Sequence, residues 1–228
     1  MPAGERPDPE GELTERLEPM LRLLAAAPDS LSSVTDPGKA RRIHLADSLS
    51  GLQIDEIASA RSALDLGSGA GFPGIPLALA LPGTEFTLLD SVGKKVRFME
   101  SVIAELGLTN ARAIHSRSED WARGEGAGAY GVVTARAVAP LQALAELASP
   151  LLAEGGVLAA WKGEREKDEE SRLAALGDRL AMEIDRVVPV TPFESSRERH
   201  IYVVRKVAPT PADLPRRAGM VRKRPLSP

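Results

Sequence analysis

The chain contains no cysteine in its 228 residues. That absence removes a disulfide framework, a thiolate zinc site and cysteine nucleophiles together. It accords with a reducing compartment, and a cytoplasmic protein without a metal is the expectation. No apolar run approaches the ~20 residues that span a bilayer, so no membrane contact is expected. The start, Met1 to Glu18, is acidic and proline-rich; it lacks the basic segment and apolar segment of a secretory signal. Positive charge is not in excess either. A formal net charge of −3 argues against a purely electrostatic nucleic-acid binder.

What is present is unevenly distributed. Glu5, Asp8, Glu10, Glu12, Glu15 and Glu18 crowd the beginning, whereas Arg216, Arg217, Arg222, Lys223 and Arg224 sit at the end with no acid among them. Such a basic block can touch phosphates, or it can be a solvated terminus. The hydrophobic fraction of 43% is enough for one packed core, and 228 residues suggest one domain with appendages.

Residues 1–12 read as disordered, being Pro, Gly and Glu with little apolar content. Residues 13–60 read as a helical cap. Leu13, Leu17, Leu21 and Leu24 recur at helical spacing, with a kink or restart expected at Pro19. Thr35-Asp36-Pro37 is a helix start signal, and that helix is expected to reach about Leu52. From residue 61 to 208, strands and helices alternate. Strands are expected at 62–66, 85–90, 111–115, 131–134 and 156–161, and helices at 75–81, 94–106, 140–148 and 165–180. The final strands, 182–190 and 200–206, have too short a connection for a crossover helix and should be antiparallel. The fold class is therefore α/β: a doubly wound, Rossmann-like sheet, mostly parallel, with an antiparallel C-terminal strand. Residues 209–228 form the basic tail. A monomer is expected.

In such a sheet, ligands bind beyond the carboxyl ends of the strands. Asp65-Leu-Gly-Ser-Gly-Ala-Gly71 stands there, between the first strand and the next helix. Gly67, Gly69 and Gly71 let backbone N–H groups come close to a ligand. A generic glycine turn and a dinucleotide site are the alternatives, but the dinucleotide fingerprint needs a last glycine where Phe72 stands. The compact G-x-G-x-G with Asp65 ahead of it resembles the first motif of Rossmann-like methyltransferases. Asp90, ending the second strand, can accept hydrogen bonds from a ribose diol. Ser118 and Glu119, after the third strand, could meet an adenine edge, and nearby acids would offset a sulfonium charge.

The chain resembles the RsmG (GidB) family of bacterial 16S ribosomal RNA guanine-N7 methyltransferases over roughly residues 40–226. The most specific stretch is Leu64-Asp-Leu-Gly-Ser-Gly-Ala-Gly-Phe-Pro-Gly-Ile-Pro-Leu77. Further matches follow in order: Arg42-Ile-His-Leu-Ala-Asp-Ser-Leu49, Leu88-Leu-Asp-Ser91 with Lys94-Lys-Val-Arg-Phe98, Arg117-Ser-Glu119, Thr134-Ala-Arg-Ala-Val138, Trp161-Lys-Gly163, Pro215-Arg-Arg and Lys223-Arg-Pro-Leu226. Ser33-Val-Thr35 departs from the family's Asn-Leu-Thr, and Ser118 stands where the family often has Ala.

The resemblance implies S-adenosyl-L-methionine as cofactor and 16S ribosomal RNA, or the small ribosomal subunit, as partner. It places Gly67, Phe72, Ser118, Glu119 and Arg136 at the cofactor, with Asp90 or its neighbours at the ribose. Arg136 suits a methionine carboxylate or a substrate phosphate better than a sulfonium, because like charges repel; it could also be an ordinary strand-end arginine. Arg42, Lys95, Arg97 and Lys162, with Arg216, Arg217, Arg222, Lys223 and Arg224, are candidate RNA contacts. His44 and Asp47 could share a hydrogen bond on the cap. Guanine N7 has no proton to lose, so no general base is expected among His44, Asp47, His115 or Glu119. A methyltransferase for another RNA, a protein or a small molecule, and a non-catalytic RNA-binding module, are the competing readings. Removal of the tail should weaken RNA binding and leave cofactor affinity nearly unchanged.

Overall fold

The computed structural model describes residues 9–27, 31, 37–136, 138–194 and 196–227. A seven-stranded sheet has the order β3-β2-β1-β4-β5-β7-β6. The strands are β1 (Ser62–Leu66), β2 (Glu85–Asp90), β3 (Ala111–His115), β4 (Tyr130–Arg136), β5 (Leu152–Lys162), β6 (Met182–Val190) and β7 (Arg199–Lys206). The first five are parallel, and β7 inserts antiparallel between β5 and β6. Chain order reverses between β1 and β4, which makes the carboxyl edge of β1 the switch point.

The strands are apolar on both faces, as a covered sheet requires. Leu64, Leu66, Val133, Ala135, Leu158 and Ala160 face α9 (Leu141–Ala148) and α10 (Lys167–Ala175). Alternate residues Ala63, Val132, Val157, Ala159 and Trp161 face the other way. On that side lie α6 (Gly74–Ala80) and α7 (Gly93–Glu105), then the cap. The helix expected over 165–180 is two pieces, α10 and α11 (Gly177–Leu180). A short helix, α8 (Ser118–Trp121), follows β3, and α12 (Met220–Lys223) lies in the tail.

The cap consists of α1 (Pro9–Arg16), α2 (Glu18–Ala26), α3 (Pro37–Ala40), α4 (Asp47–Leu49) and α5 (Asp55–Ala58). Residues 9–12, expected to be disordered, belong to α1. The chain restarts as a helix at Glu18, with Pro19 in the first turn, where its missing N–H costs nothing. Thr35 and Asp36, and Ser33 to Thr35 with them, lie outside the described residues. From α3 the chain continues through a π-helical segment, Arg41–Ala46, into α4 and then a 3₁₀ turn, Ser50–Gln53. Among the described residues, no helix is long and apolar enough to cross a membrane.

Contacts from β5, β6 and β7 help fasten the cap to the sheet. Trp161 Nε1 donates to the Asp47 carbonyl at 2.8 Å. Arg186 and Arg205, on β6 and β7, both reach the Glu56 carboxylate of α5. The hydrogen bond from Arg186 chiefly holds the Glu56 pKa down at about 2, while burial opposes it. His44 is pushed down to about 4 by burial first and the Arg136 charge second. The signs agree. Between the unfolded and folded pKa values the unfolded chain binds more protons, so stability falls as pH drops. For His44 this decline runs from pH 6.5 to about 4, and for Glu56 from 4.5 to about 2. Urea unfolding should therefore show lower stability at about pH 4.5 than at about pH 7. In His44→Phe that difference should shrink; an unchanged difference would remove His44 from the account.

Candidate active site

Side-chain and backbone groups together build the loop after β1. The Asp65 carboxylate is fully buried and accepts from Thr134 Oγ1 at 2.8 Å, from Gly74 N–H at 3.1 Å and from the Ser68 hydroxyl. Burial pushes its carboxyl up, and these hydrogen bonds oppose that. Asp65 thus holds the loop from beneath. It lies outside the cleft lining, which corrects its expected place at the cofactor.

Asp90 holds the same loop from the side. Its Oδ2 accepts from Gly69 N–H and its Oδ1 from Val92 N–H, each at 2.9 Å. Each oxygen retains a lone pair, and Asp90 lines the cleft. Lys95 Nζ stands 3.7 Å from it.

That cleft, about 810 Å³, opens at the carboxyl edge of β1, β2 and β3. Gly67, Asp90, Ser118 and Glu119 line it. Gly69 and Gly71 do not. All three glycines have positive φ, but a Cβ on Gly71 would strike Ile75 Cδ1 at 2.4 Å, under the cap. A Cβ on Gly67 would meet only Val138, at 3.0 Å, a side chain on the cleft wall. The two positions should therefore separate in mutants. Gly67→Ala should weaken cofactor binding by ~1.4 kcal/mol or more, about tenfold in affinity, with a modest fall in melting temperature from the left-handed backbone alone. Gly71→Ala should lower the melting temperature and spare the cofactor once folded. Calorimetry beside thermal melts checks both.

Phe72 and Arg136 also lie outside the lining. Phe72 stacks on His44, with ring centroids 4.7 Å apart, and the Arg136 guanidinium lies 5.3 Å from the Phe72 ring centre. Arg136 Nη1 donates to Asp47 Oδ2 at 3.1 Å and to the Ile43 carbonyl at 3.2 Å. Its other terminal nitrogen stands 3.3 Å from His44 Nδ1. Alternation along β4 turns Thr134 and Arg136 to the cap side, opposite Val133 and Ala135. Arg136 is a cap anchor in this structure, in contact with both Asp47 and His44, the two cap residues expected to share a hydrogen bond.

The basic tail departs furthest from expectation. It folds back as a strap instead of projecting into solvent. Arg216 grips Glu146 of α9 bidentately, at 2.5 and 2.8 Å, and Leu214 is buried in the core. Arg123 donates to the carbonyls of Pro215 and Arg216 at 2.9 Å each. Gly219 N–H then donates to Glu119 Oε1 at 2.7 Å, and Gly219, Val221, Arg222 and Pro225 wall the cleft. Arg217, Arg222, Lys223 and Arg224 remain exposed.

The other expected RNA contacts divide. Lys162 is engaged inward, 2.6 Å from Glu169, and Arg216 is occupied by Glu146. Lys95 lines the cleft, and Arg97 is exposed on α7. The Arg42 side chain lies outside the described residues. Sequence reasoning missed Arg172 of α10, Gln142 and Ala143 of α9, and Val138, all in the lining. Arg172, Gln142 and Ala143 carry no motif signal, because they reach the cleft through helix packing, whereas Val138 closes the Thr134-Ala-Arg-Ala-Val138 stretch without being singled out.

A model of the GidB family, rRNA small subunit methyltransferase G, matches residues 15–202. The chain belongs to the GidB family. A ribosomal RNA small subunit methyltransferase G from Deinococcus radiodurans is 43% identical over 188 residues, covering 80% of this chain and 73% of that one. The protein of that name from a Synechococcus species is 39% identical over 203 residues, covering 86% and 78%. Solved structures show the same fold at low identity. A SAM-dependent methyltransferase from Aquifex aeolicus has TM-score 0.54 and 17% identity, covering 75% of this chain and 99% of its own. The Methanococcus jannaschii fibrillarin pre-rRNA processing protein has TM-score 0.54 and 18% identity, covering 72% and 74%. This GidB chain is thus a class I methyltransferase fold. Its cleft offers a glycine, Gly67, and two carboxylates, Asp90 and Glu119, a lining that fits a cationic cofactor bearing hydroxyls such as S-adenosylmethionine. Among the described residues, no group of three His, Cys, Asp or Glu is placed to hold a metal ion.

Proposed function

We propose that this GidB chain transfers a methyl group to N7 of a guanine in 16S ribosomal RNA, acting as a monomer in the cytoplasm. The observation that carries the reading is the cleft at the switch point, where Gly67, Asp90, Ser118 and Glu119 converge beneath a strap whose exposed side is basic. Family membership adds the RNA as substrate. When bound, S-adenosylmethionine supplies a methyl group on a positively charged sulfur. Gly67 admits the backbone close to it, Asp90 orients hydroxyls, and Ser118 with Glu119 faces the base edge. The cleft wall from Val138 to Ala143 and the strap exclude water from the reacting face. Lys95, Arg222 and the exposed strap cations hold RNA phosphate by charge.

Guanine N7 carries an in-plane lone pair and no proton. Alignment and electrostatics are then the chain's whole contribution, and no side chain has to remove a proton before the methyl arrives. His44 is neutral at working pH, with its pKa near 4, and it packs on the cap. The single-turnover rate at saturating RNA and cofactor should be nearly flat from about pH 6.5 to 8.5. A tenfold rise per pH unit, abolished by one His or carboxylate substitution, would point to a proton-bearing target.

The decisive experiment incubates unmethylated small ribosomal subunits, and naked 16S RNA separately, with the protein and methyl-labelled S-adenosylmethionine. Digestion to nucleosides and mass spectrometry should show label in 7-methylguanosine. Label in another nucleoside, or none in either RNA sample, would overturn the assignment.

A further inference from the structure

The cleft does not stop at the strand edge. Leu141, Leu144, Ala145 and Ala148 turn one face of α9 to the core. The other face carries Ala143 and Leu147, one turn apart, and both line the cleft. From Pro140, which precedes α9, to Leu147 the lining therefore runs ~10 Å along the helix. Both α10 and α12 of the strap pack against α9 and help to wall this groove.

The two ends of the cleft differ in charge. The acids of the lining, Asp90 and Glu119, stand at the strand edge, where each accepts from a backbone N–H. The groove along α9 is lined instead by two arginines, Arg172 of α10 and Arg222 of α12. Both are exposed, and neither is in an ion pair among the described residues. Three acids that border the groove are already matched: Glu146 by Arg216, Glu169 by Lys162 and Glu170 by Arg165. Asp168, one turn before Arg172, is exposed to water, which screens it. Uncompensated positive charge thus gathers here in a chain of net charge −3. Apolar surface accompanies it, for Leu147 is half-buried and Pro225 exposed in the same lining.

Guanidinium groups beside apolar surface complement a nucleotide, which joins a phosphate to a flat ring. We propose that the groove along α9 seats the RNA nucleotide next to the methylated one, with its phosphate held by Arg172 and Arg222 and its base resting on Leu147 and Pro225. The inference rests on the RNA methylation proposed above, which puts the target base at the strand edge and requires the strand to leave the cleft along one of its walls. The carboxylate of the cofactor is the other anion that this reading supplies, and the test separates the two.

Single-turnover methylation is followed against RNA concentration, across a salt series, for the wild type, Arg172→Gln, Leu147→Ser and Lys167→Gln. Lys167 is an exposed cation on α10 outside the lining, so its variant loses the same charge from the same helix. Arg172→Gln should raise the half-saturating RNA concentration about fivefold and flatten its salt dependence by roughly one unit, while the rate at saturating RNA stays within about twofold. Its affinity for S-adenosylhomocysteine, measured by calorimetry, should be unchanged. Leu147→Ser should raise the half-saturating concentration about threefold with the slope unchanged, because apolar contact is lost and charge is not. Lys167→Gln should match the wild type in both. Thermal melts record any loosening of the fold separately, and such loosening would not alter the salt slope. An Arg172→Gln enzyme that behaves as Lys167→Gln does would overturn the inference and leave the methyltransferase reading standing. So would a loss confined to S-adenosylhomocysteine affinity, which would give Arg172 to the cofactor carboxylate. Wild-type RNA dependence in Leu147→Ser would overturn the seat for the base. A wild type that transfers no methyl group to RNA would overturn the proposed function, and this inference with it.

Discussion

Ending the chain after Arg216 should weaken S-adenosylmethionine binding about tenfold or more, the equivalent of ~1.4 kcal/mol. The cut removes Gly219, Val221, Arg222 and Pro225 from the cleft wall and leaves Glu119 Oε1 without the Gly219 N–H. Val221 is buried against the protein itself, and a valine side chain moved from buried to exposed is worth about 1.5–3 kcal/mol. Leu214 and the Arg216–Glu146 clasp stay, so the protein should remain folded, with a melting temperature lowered by several degrees for the lost packing of Val221 and Leu226. RNA affinity should fall as well, because Arg217, Arg222, Lys223 and Arg224 are exposed on the removed segment. The slope of its salt dependence should flatten by roughly one unit for each phosphate that the segment neutralises. Calorimetry with the cofactor, and RNA binding across a salt series, measure the two effects. Cofactor affinity equal to that of the full chain would return the tail to a merely electrostatic role. A solvated tail, as composition alone suggests, predicts that equality; the strap predicts its failure.

The second large effect is on stability. Arg136→Met should destabilise the protein by about 3–5 kcal/mol, since it leaves the Asp47 carboxylate buried without its partner. Asp47 is 4% exposed, and the pair stands at 3.1 Å. For a chain of this size each kcal/mol moves the melting temperature by about 2–4 °C, so the shift should be unmistakable. Arg136→Met with Asp47→Leu should recover much of the stability, because an apolar pair of similar volume needs no compensating charge. Thermal and urea unfolding of the single and double variants check this. A single variant of normal stability that fails to bind cofactor or RNA would instead make Arg136 a ligand contact.

These two expectations mark where sequence and structure part. The alternation of elements, the parallel sheet, the antiparallel end and the glycine loop are written in local patterns. Short apolar runs, helical periodicity and glycines at a strand end are short-range signals, and the fold follows from them. Gly67, Asp90, Ser118 and Glu119 were legible for the same reason: each ends a strand or begins the turn after one, and strand ends converge on the cleft. Arg136 ends a strand too. Its strand is apolar on both faces, so no alternation of polar and apolar residues reveals which way the side chain points. Only the docked cap decides that. Asp65 and Gly71 share a motif with Gly67, yet one lies beneath the loop and the other against Ile75 and Met20. A separation of two to four residues reverses direction in a tight turn. The strap was illegible for a different reason. Its charges read as solvated, while the features that fold it back, the Arg216–Glu146 clasp and the Gly219–Glu119 hydrogen bond, join residues 70 and 100 positions apart. Pairings at such separation leave no periodic trace in a single sequence. By itself, the sequence determined the sheet, its ligand edge and the family, because those depend on neighbours along the chain. The tertiary structure alone decided which cations face outward, which are buried in clasps and which side chains wall the cleft, because those depend on neighbours in space.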